Sequence, residues 1–178
     1  HHPVFRKITH SPAIAALSAD LQQTDLVRYY KDILIGPPAY RTERQSPIGW
    51  HTDISYWPTC RPERMITIYV PLQDRDEHNG TLLMVNGSHH WEQKTFQITV
   101  AFEEFDKLRK GYEKAGYTID FEVLPHRKGQ VSFHSSLVLH ATFPNKTDEF
   151  QYSVVFGHQA EDNRYVPSPL AKFSKDIG

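Results

Sequence analysis

His51 and Asp53 stand one residue apart in the run Trp50-His51-Thr52-Asp53. Imidazole and carboxylate are both good ligands for a first-row divalent metal. On a strand, alternate side chains share a face, so these two would point the same way while Thr52 points away. One more imidazole would complete a facial set of two histidines and a carboxylate. Non-haem Fe(II) oxygenases use that set and leave positions open for other ligands. The candidate third ligand is His140, at the end of Phe133-His134-Ser135-Ser136-Leu137-Val138-Leu139-His140. Alone, a His-x-Asp tripeptide is a weak signal in a chain with 11 histidines and 21 acidic residues. His1-His2 carry no weight, since such pairs are often left by tags.

The composition narrows what surrounds this triad. With 178 residues, 39% hydrophobic and 23% charged, the chain reads as one ordinary globular domain with a sizeable core. A formal net charge of −1 and no dense block of Lys or Arg argue against nucleic acid as a partner. No apolar run reaches membrane-spanning length and no signal-peptide pattern opens the chain, so no membrane partner is expected. The lone cysteine, Cys60, excludes an internal disulfide and any multi-cysteine metal site. It fits a reducing, cytoplasmic setting.

The elements that must position the triad are mostly short strands. Ser11 as N-cap and Pro12 at the first helical position predict a helix to about residue 21, with Leu17 and Leu21 on its buried side. Residues 27–35 read as a strand closed by Gly36-Pro37-Pro38. A polar stretch with Arg41 and Arg44 then leads into a strand carrying Trp50, His51 and Asp53. Trp57-Pro58 and Arg61-Pro62 mark a loop. Residues 65–72 form a buried-type strand, Asn79-Gly80 is a tight-turn signal, and residues 81–85 form another strand, so 65–85 reads as a hairpin. Phe102, Phe105, Leu108 and Tyr112 make the apolar stripe of a helix over 102–114, with acids early, bases late and Gly116 ending it. Strand-like segments resume at 118–124, 130–133, 137–143 and 152–158, before an irregular tail with Pro167 and Pro169. Seven or eight short strands around one inserted helix predict an all-β core. A double-stranded β-helix (jelly-roll) with peripheral α-helices would bring residues 51–53 beside residue 140.

The run from Gly49 to Trp91 resembles the phytanoyl-CoA dioxygenase family of Fe(II)/2-oxoglutarate oxygenases. Trp50-His51-Thr52-Asp53, Tyr56-Trp57-Pro58, Asn79-Gly80-Thr81-Leu82 and Asn86-Gly87-Ser88-His89 match its motifs in order and spacing. So do Gly129-Gln130-Val131-Ser132-Phe133-His134, Leu139-His140 and Pro144-Asn145. The likeness runs over residues 27–165. The helices and strands that the family carries further upstream are missing here or short, with residues 1–178 read as a single jelly-roll oxygenase domain. The resemblance implies that His51, Asp53 and His140 hold Fe(II). It also implies that 2-oxoglutarate and molecular oxygen are cosubstrates and that a small molecule is oxidised. Family members that halogenate lack the carboxylate, so Asp53 points to hydroxylation or a related oxidation.

The same resemblance places Tyr69 and Thr142 against 2-oxoglutarate. The arginine that grips its distal carboxylate falls on Gln151. An amide in place of a bidentate charged pair removes a hydrogen bond worth about 1.5–3 kcal/mol. Three explanations stand: another cation (Arg41, Arg44 or Lys146) takes the role, a different oxo-acid or electron source is used, or ligand is bound without turnover. Two rival readings accompany the oxygenase: a non-catalytic metal- or ligand-binding jelly-roll, and an Fe(II) oxygenase that does not use 2-oxoglutarate. His134 is expected beside the site as a supporting residue. His89 and His90 are expected to cap or pack. His10, His78, His126 and His158 are expected on the surface or pocket rim, and Tyr56, Trp57 and Phe133 in the core or pocket lining.

Overall fold

The computed structural model describes residues 2–36, 48–57, 60–92 and 100–166. Arg41, Arg44, Pro58, Pro167 and Pro169 lie outside them. Two helices come first, α1 (Pro3–Thr9) and α2 (Pro12–Gln22), followed by β1 (Val27–Ile35), β2 (Met65–Pro71) and β3 (Leu82–Val85). Helix α3 (Phe105–Lys114) then precedes β4 (Phe121–Leu124), β5 (Ser132–Ser135), β6 (His140–Thr142) and β7 (Ser153–Ala160). The strands form two antiparallel sheets, one in the order β1-β7-β2-β5 and one in the order β4-β3-β6. This is the expected jelly-roll with helices on its outside. None of the described helices is long and apolar enough to cross a membrane.

Strand period explains the layering. In β2 every residue is buried. Ile66, Ile68 and Val70 pack with Val154 and Phe156 of β7 beneath Phe5, Ile8 and Ile14 of the first two helices. The alternate residues, Thr67 and Tyr69, face inward, and Tyr69 packs with Leu82 and Met84 of β3. In β3, Leu83 and Val85 face outward and join Trp50, Tyr112, Leu139 and Ala141, with Phe102, Phe105 and Leu108 packed against them. The predicted stripe of α3 thus covers the second sheet, its Phe105 ring lying 4.6 Å from Trp50. Gly116, at φ +90°, ends that helix as predicted.

Four expectations need correcting. First, β2 and β3 do not form a hairpin. Asn79-Gly80 does reverse the chain, with Gly80 at φ +96°, but the two strands enter different sheets. Each is a central strand whose two edges are paired with others: β5 and β7 for β2, β4 and β6 for β3. Second, Trp50 and His51 are extended and bridge Val100 and His140, but the chain turns into a 3-10 helix at Asp53–Tyr56, so no strand continues through Asp53. Third, Leu17 and Leu21 are exposed, and the buried residues of α2 are Ser18, Ala19 and Gln22. The small Ser18 lets the helix lie close to β7, where its hydroxyl meets His158 Nδ1 at 3.0 Å. Fourth, His126 and His158 are buried rather than at the surface or pocket rim, and Tyr56, expected in the core or pocket lining, is exposed. Helix α1 adds a short element that the sequence reading did not anticipate.

Candidate metal centre

His51 and His140 face each other through an antiparallel bridge in which each backbone N–H donates to the other's carbonyl at 2.9 Å. That exchange brings the two rings to 4.2 Å between centroids. Just before it, Trp50 and Val100 exchange backbone bonds at 2.7 and 2.9 Å. Gly49 permits this approach, since a Cβ there would lie 2.3 Å from the Val100 carbonyl oxygen. Past His51 the 3-10 turn carries Asp53 away from the β6 side, towards the other sheet.

Backbone carbonyls hold both imidazoles. His51 Nδ1 lies 2.7 Å from the Gly49 oxygen and His140 Nδ1 lies 2.9 Å from the Val138 oxygen. A carbonyl only accepts, so each Nδ1 carries the proton and each Nε2 presents a lone pair. Those two nitrogens lie 3.7 and 3.8 Å from Asp53 Oδ1. The other carboxylate oxygen, Oδ2, accepts from Thr67 Oγ1 at 2.5 Å and His134 Nε2 at 3.1 Å. One oxygen is therefore tied back to β2 and β5 while the other is turned towards the imidazoles.

The electrostatics suit a cation. Burial pushes the Asp53 carboxyl up, but the surrounding imidazoles, His140 first and then His134 and His51, outweigh it, and His134 bonds directly to Oδ2. The group is held well below the usual carboxylate range. Burial and then repulsion from His51 lower His140 to about 3, so it is neutral near pH 7. Ligation requires a neutral imidazole and an ionised carboxylate. One ligand atom from each of His51, Asp53 and His140 falls in a cluster within 4.8 Å, all three residues buried. Fixed tautomers, an outward-turned oxygen and this clustering fit a single metal ion bound by three side chains, with Thr67 and His134 holding the carboxylate ligand in place.

The triad lines a cavity between the sheets that Thr67, Tyr69, Arg75, His134 and Ser153 also line. Of the predicted cosubstrate residues, only Tyr69 is there. Thr142 is buried, and its Oγ1 accepts from the Ile48 N–H at 3.0 Å. Gln151 is also buried, with Oε1 unpartnered among the described residues, but it does not line the cavity. Lys146 is exposed. His134 takes the supporting position expected of it.

Thr67 and Arg75 are additions that the sequence reading missed. Thr67 was within reach, because period-two alternation puts it on the same face as Tyr69. Arg75 gave no such signal; it sits in a charged turn, yet is only 2% exposed. Its Nη2 donates to Ser153 Oγ at 2.9 Å, and Ser153 Oγ donates to the Tyr69 hydroxyl at 2.9 Å. His126, paired with Arg75 through its backbone, packs its ring 5.2 Å from Tyr69.

A jelly-roll with two histidines and one carboxylate converging between its sheets is the architecture of a mononuclear metal site. The phytanoyl-CoA dioxygenase family model matches residues 1–152, and the chain belongs to that family. It is 24% identical over 174 residues to phytanoyl-CoA dioxygenase domain-containing protein 1 of Danio rerio, covering 95% of this chain and 57% of that protein. The chain thus spans little more than half the length of that curated relative. Among solved structures, it resembles the non-haem alpha-ketoglutarate-dependent carbocyclase SnoK of nogalamycin biosynthesis. The TM-score is 0.77 at 20% identity, covering 99% of this chain and 66% of that one. It also resembles the epimerase SnoN in complex with Fe3+, alpha ketoglutarate and nogalamycin RO. There the TM-score is 0.76 at 22% identity, covering 96% and 64% of the two chains.

Proposed function

We propose that this chain is the metal-binding domain of an Fe(II)- and 2-oxoglutarate-dependent oxygenase that oxidises a small organic molecule. The observation that carries the reading is the convergence of His51 Nε2, Asp53 Oδ1 and His140 Nε2 inside a buried cavity. Family membership supports it, and the SnoN complex contains both Fe3+ and alpha ketoglutarate. In such an enzyme, iron with 2-oxoglutarate supplies oxidation of a C–H bond by molecular oxygen, coupled to decarboxylation of the oxo-acid to succinate.

The chain's own residues would bind and orient. His51, Asp53 and His140 would hold the ion, and three protein ligands would leave it free to take small ligands as well. Thr67 and His134 keep Asp53 bonding through one oxygen. Tyr69, which lines the cavity, would offer its hydroxyl to the cosubstrate, and Thr142 and Gln151 stay candidates for its surroundings although neither lines the cavity. The apolar walls, Leu82 and Val155 among them, keep water from the ion and strengthen each polar contact inside.

Anaerobic Fe(II) titration with metal analysis tests the centre. One ion per chain is expected for the wild type, and His51→Ala and Asp53→Ala should each lose it while keeping the wild-type circular dichroism. Stoichiometric iron in both variants would refute the site. Addition of 2-oxoglutarate should then produce a metal-to-ligand absorption band, and succinate should form in air. A metal-loaded protein showing neither band nor succinate would favour the ligand-binding jelly-roll, or an iron oxygenase with another source of electrons.

A further inference from the structure

We propose that Arg75, from the turn after β2, is the cation that grips the distal carboxylate of the oxo-acid in this protein. The inference rests on the cosubstrate reading above and names the anchor that reading lacks. Arg75 lines the same cavity as the metal triad and is 2% exposed. Among the described residues it pairs with no carboxylate: Nη1 donates to the Asn79 carbonyl at 3.1 Å, Nη2 to Ser153 Oγ, and Nε has no partner. A buried guanidinium held only by neutral acceptors is costly unless an anion completes it. Asp53, the one carboxylate lining the cavity among the described residues, has Oδ2 bonded to Thr67 and His134 and Oδ1 turned to the histidines.

The polarity of the neighbouring bonds points the same way. Arg75 donates to Ser153 and Ser153 donates to the Tyr69 oxygen, so the Tyr69 O–H is left to donate onward. No acceptor for it appears among the described residues. A phenol proton and guanidinium N–H groups, linked through Ser153, make a donor set for a carboxylate. His51, Asp53 and His140, which would hold the ion, line the same cavity. A short dicarboxylate that chelates the ion through its oxo-acid end would place its other carboxylate against Arg75 and Tyr69. Gln151, at the position where the resemblance leads one to expect an arginine, is then not required for charge.

The test compares two oxo-acids of equal length, 2-oxoglutarate and 2-oxopentanoate, in which a methyl replaces the distal carboxylate. Both are titrated into the anaerobic Fe(II) protein, followed by the metal-to-ligand band. The wild type should prefer 2-oxoglutarate by about 10- to 150-fold, the range for a charged hydrogen bond. In Arg75→Gln the preference should collapse to within about threefold, with 2-oxopentanoate affinity nearly unchanged, while Arg75→Lys should keep part of it. A preference that survives Arg75→Gln overturns the assignment and leaves the cosubstrate reading intact. No band with either acid in the wild type overturns that reading, and the assignment with it. If neither variant folds, wild-type protein labelled with nitrogen-15 arginine and loaded with Zn(II) decides. A buried arginine Nε–H resonance should shift with 2-oxoglutarate and stay with 2-oxopentanoate; no shift with either overturns the proposal.

Discussion

Asp53 shows how a single side chain is prepared for its task. A carboxylate free to rotate could ligate through either oxygen, or both. Here Thr67 and His134 occupy Oδ2 and leave Oδ1 facing the two imidazoles. Partners of this kind typically contribute 10- to 100-fold in metal affinity. Thr67→Val, which removes the hydroxyl at nearly constant volume, should therefore weaken Fe(II) or Ni(II) binding by about 10- to 100-fold, with the thermal midpoint little changed. Equal affinity by calorimetry would show that the 2.5 Å bond does not hold the ligand. His51, Asp53 and His140 were legible from residue type and motif order, and Tyr69 from the family resemblance; all four line one cavity. Arg75 was not, because charge in a turn between strands reads as solvated. Only the fold, folding Ser153 and Asn79 around that turn, turns a surface residue into a buried one.

The elements place these groups through two unusual contacts rather than through long regular strands. The His51–His140 bridge fixes two ligands at once, and the bridge between Trp50 and Val100 braces it. Gly49 is where the brace is most sensitive, because any side chain meets a backbone oxygen that has no rotamer to escape into. Gly49→Ala should destabilise the protein by about 1–3 kcal/mol, the usual range for overpacking. It should also weaken metal binding, since the Gly49 carbonyl orients His51. A variant with wild-type unfolding midpoint and metal affinity would show that the Trp50–Val100 contact is not rigid. Strand identity was largely legible from apolar runs such as 65–71, and so was the stripe of α3. Strand partnership was not: Asn79-Gly80 specifies a reversal over four residues, whereas sheet choice is set by burial against segments far along the chain. The buried face of α2 also differs from the one its leucines predict. Leucines at helical spacing suggested the core, but it was Ser18 that let the helix reach β7.

At the scale of the whole molecule, the triad joins the two layers. His51 and His140 bridge at the edge of the second sheet, and Asp53 is bonded to β2 and β5 of the first. Protonation should therefore disturb more than the metal. Burial comes first among the causes that lower three buried histidines: His140 to about 3, and His126 and His158 below their ordinary 6.5. Around His158 the Thr9 carbonyl opposes this and His10 adds to it; around His126 the Leu124 backbone opposes and Arg75 adds. Below about pH 6.5 the unfolded chain binds protons at these positions that the folded chain refuses, so stability must fall with falling pH. For His140 the loss continues down to about pH 3, and the depressed Asp53 carboxyl adds its own loss only below the usual carboxylate range. The metal-free protein should accordingly show a flat urea midpoint above about pH 7.5 and a steady decline from about 6.5 to 4. Saturating metal at 100 times its dissociation constant should add about 2.7 kcal/mol at pH 7.5, an increment that a chelator removes. A metal-free midpoint that stays level from pH 7.5 to pH 5 would mean that these histidines are protonated in the folded state. Burial would then not be what keeps His140 neutral and ready to ligate.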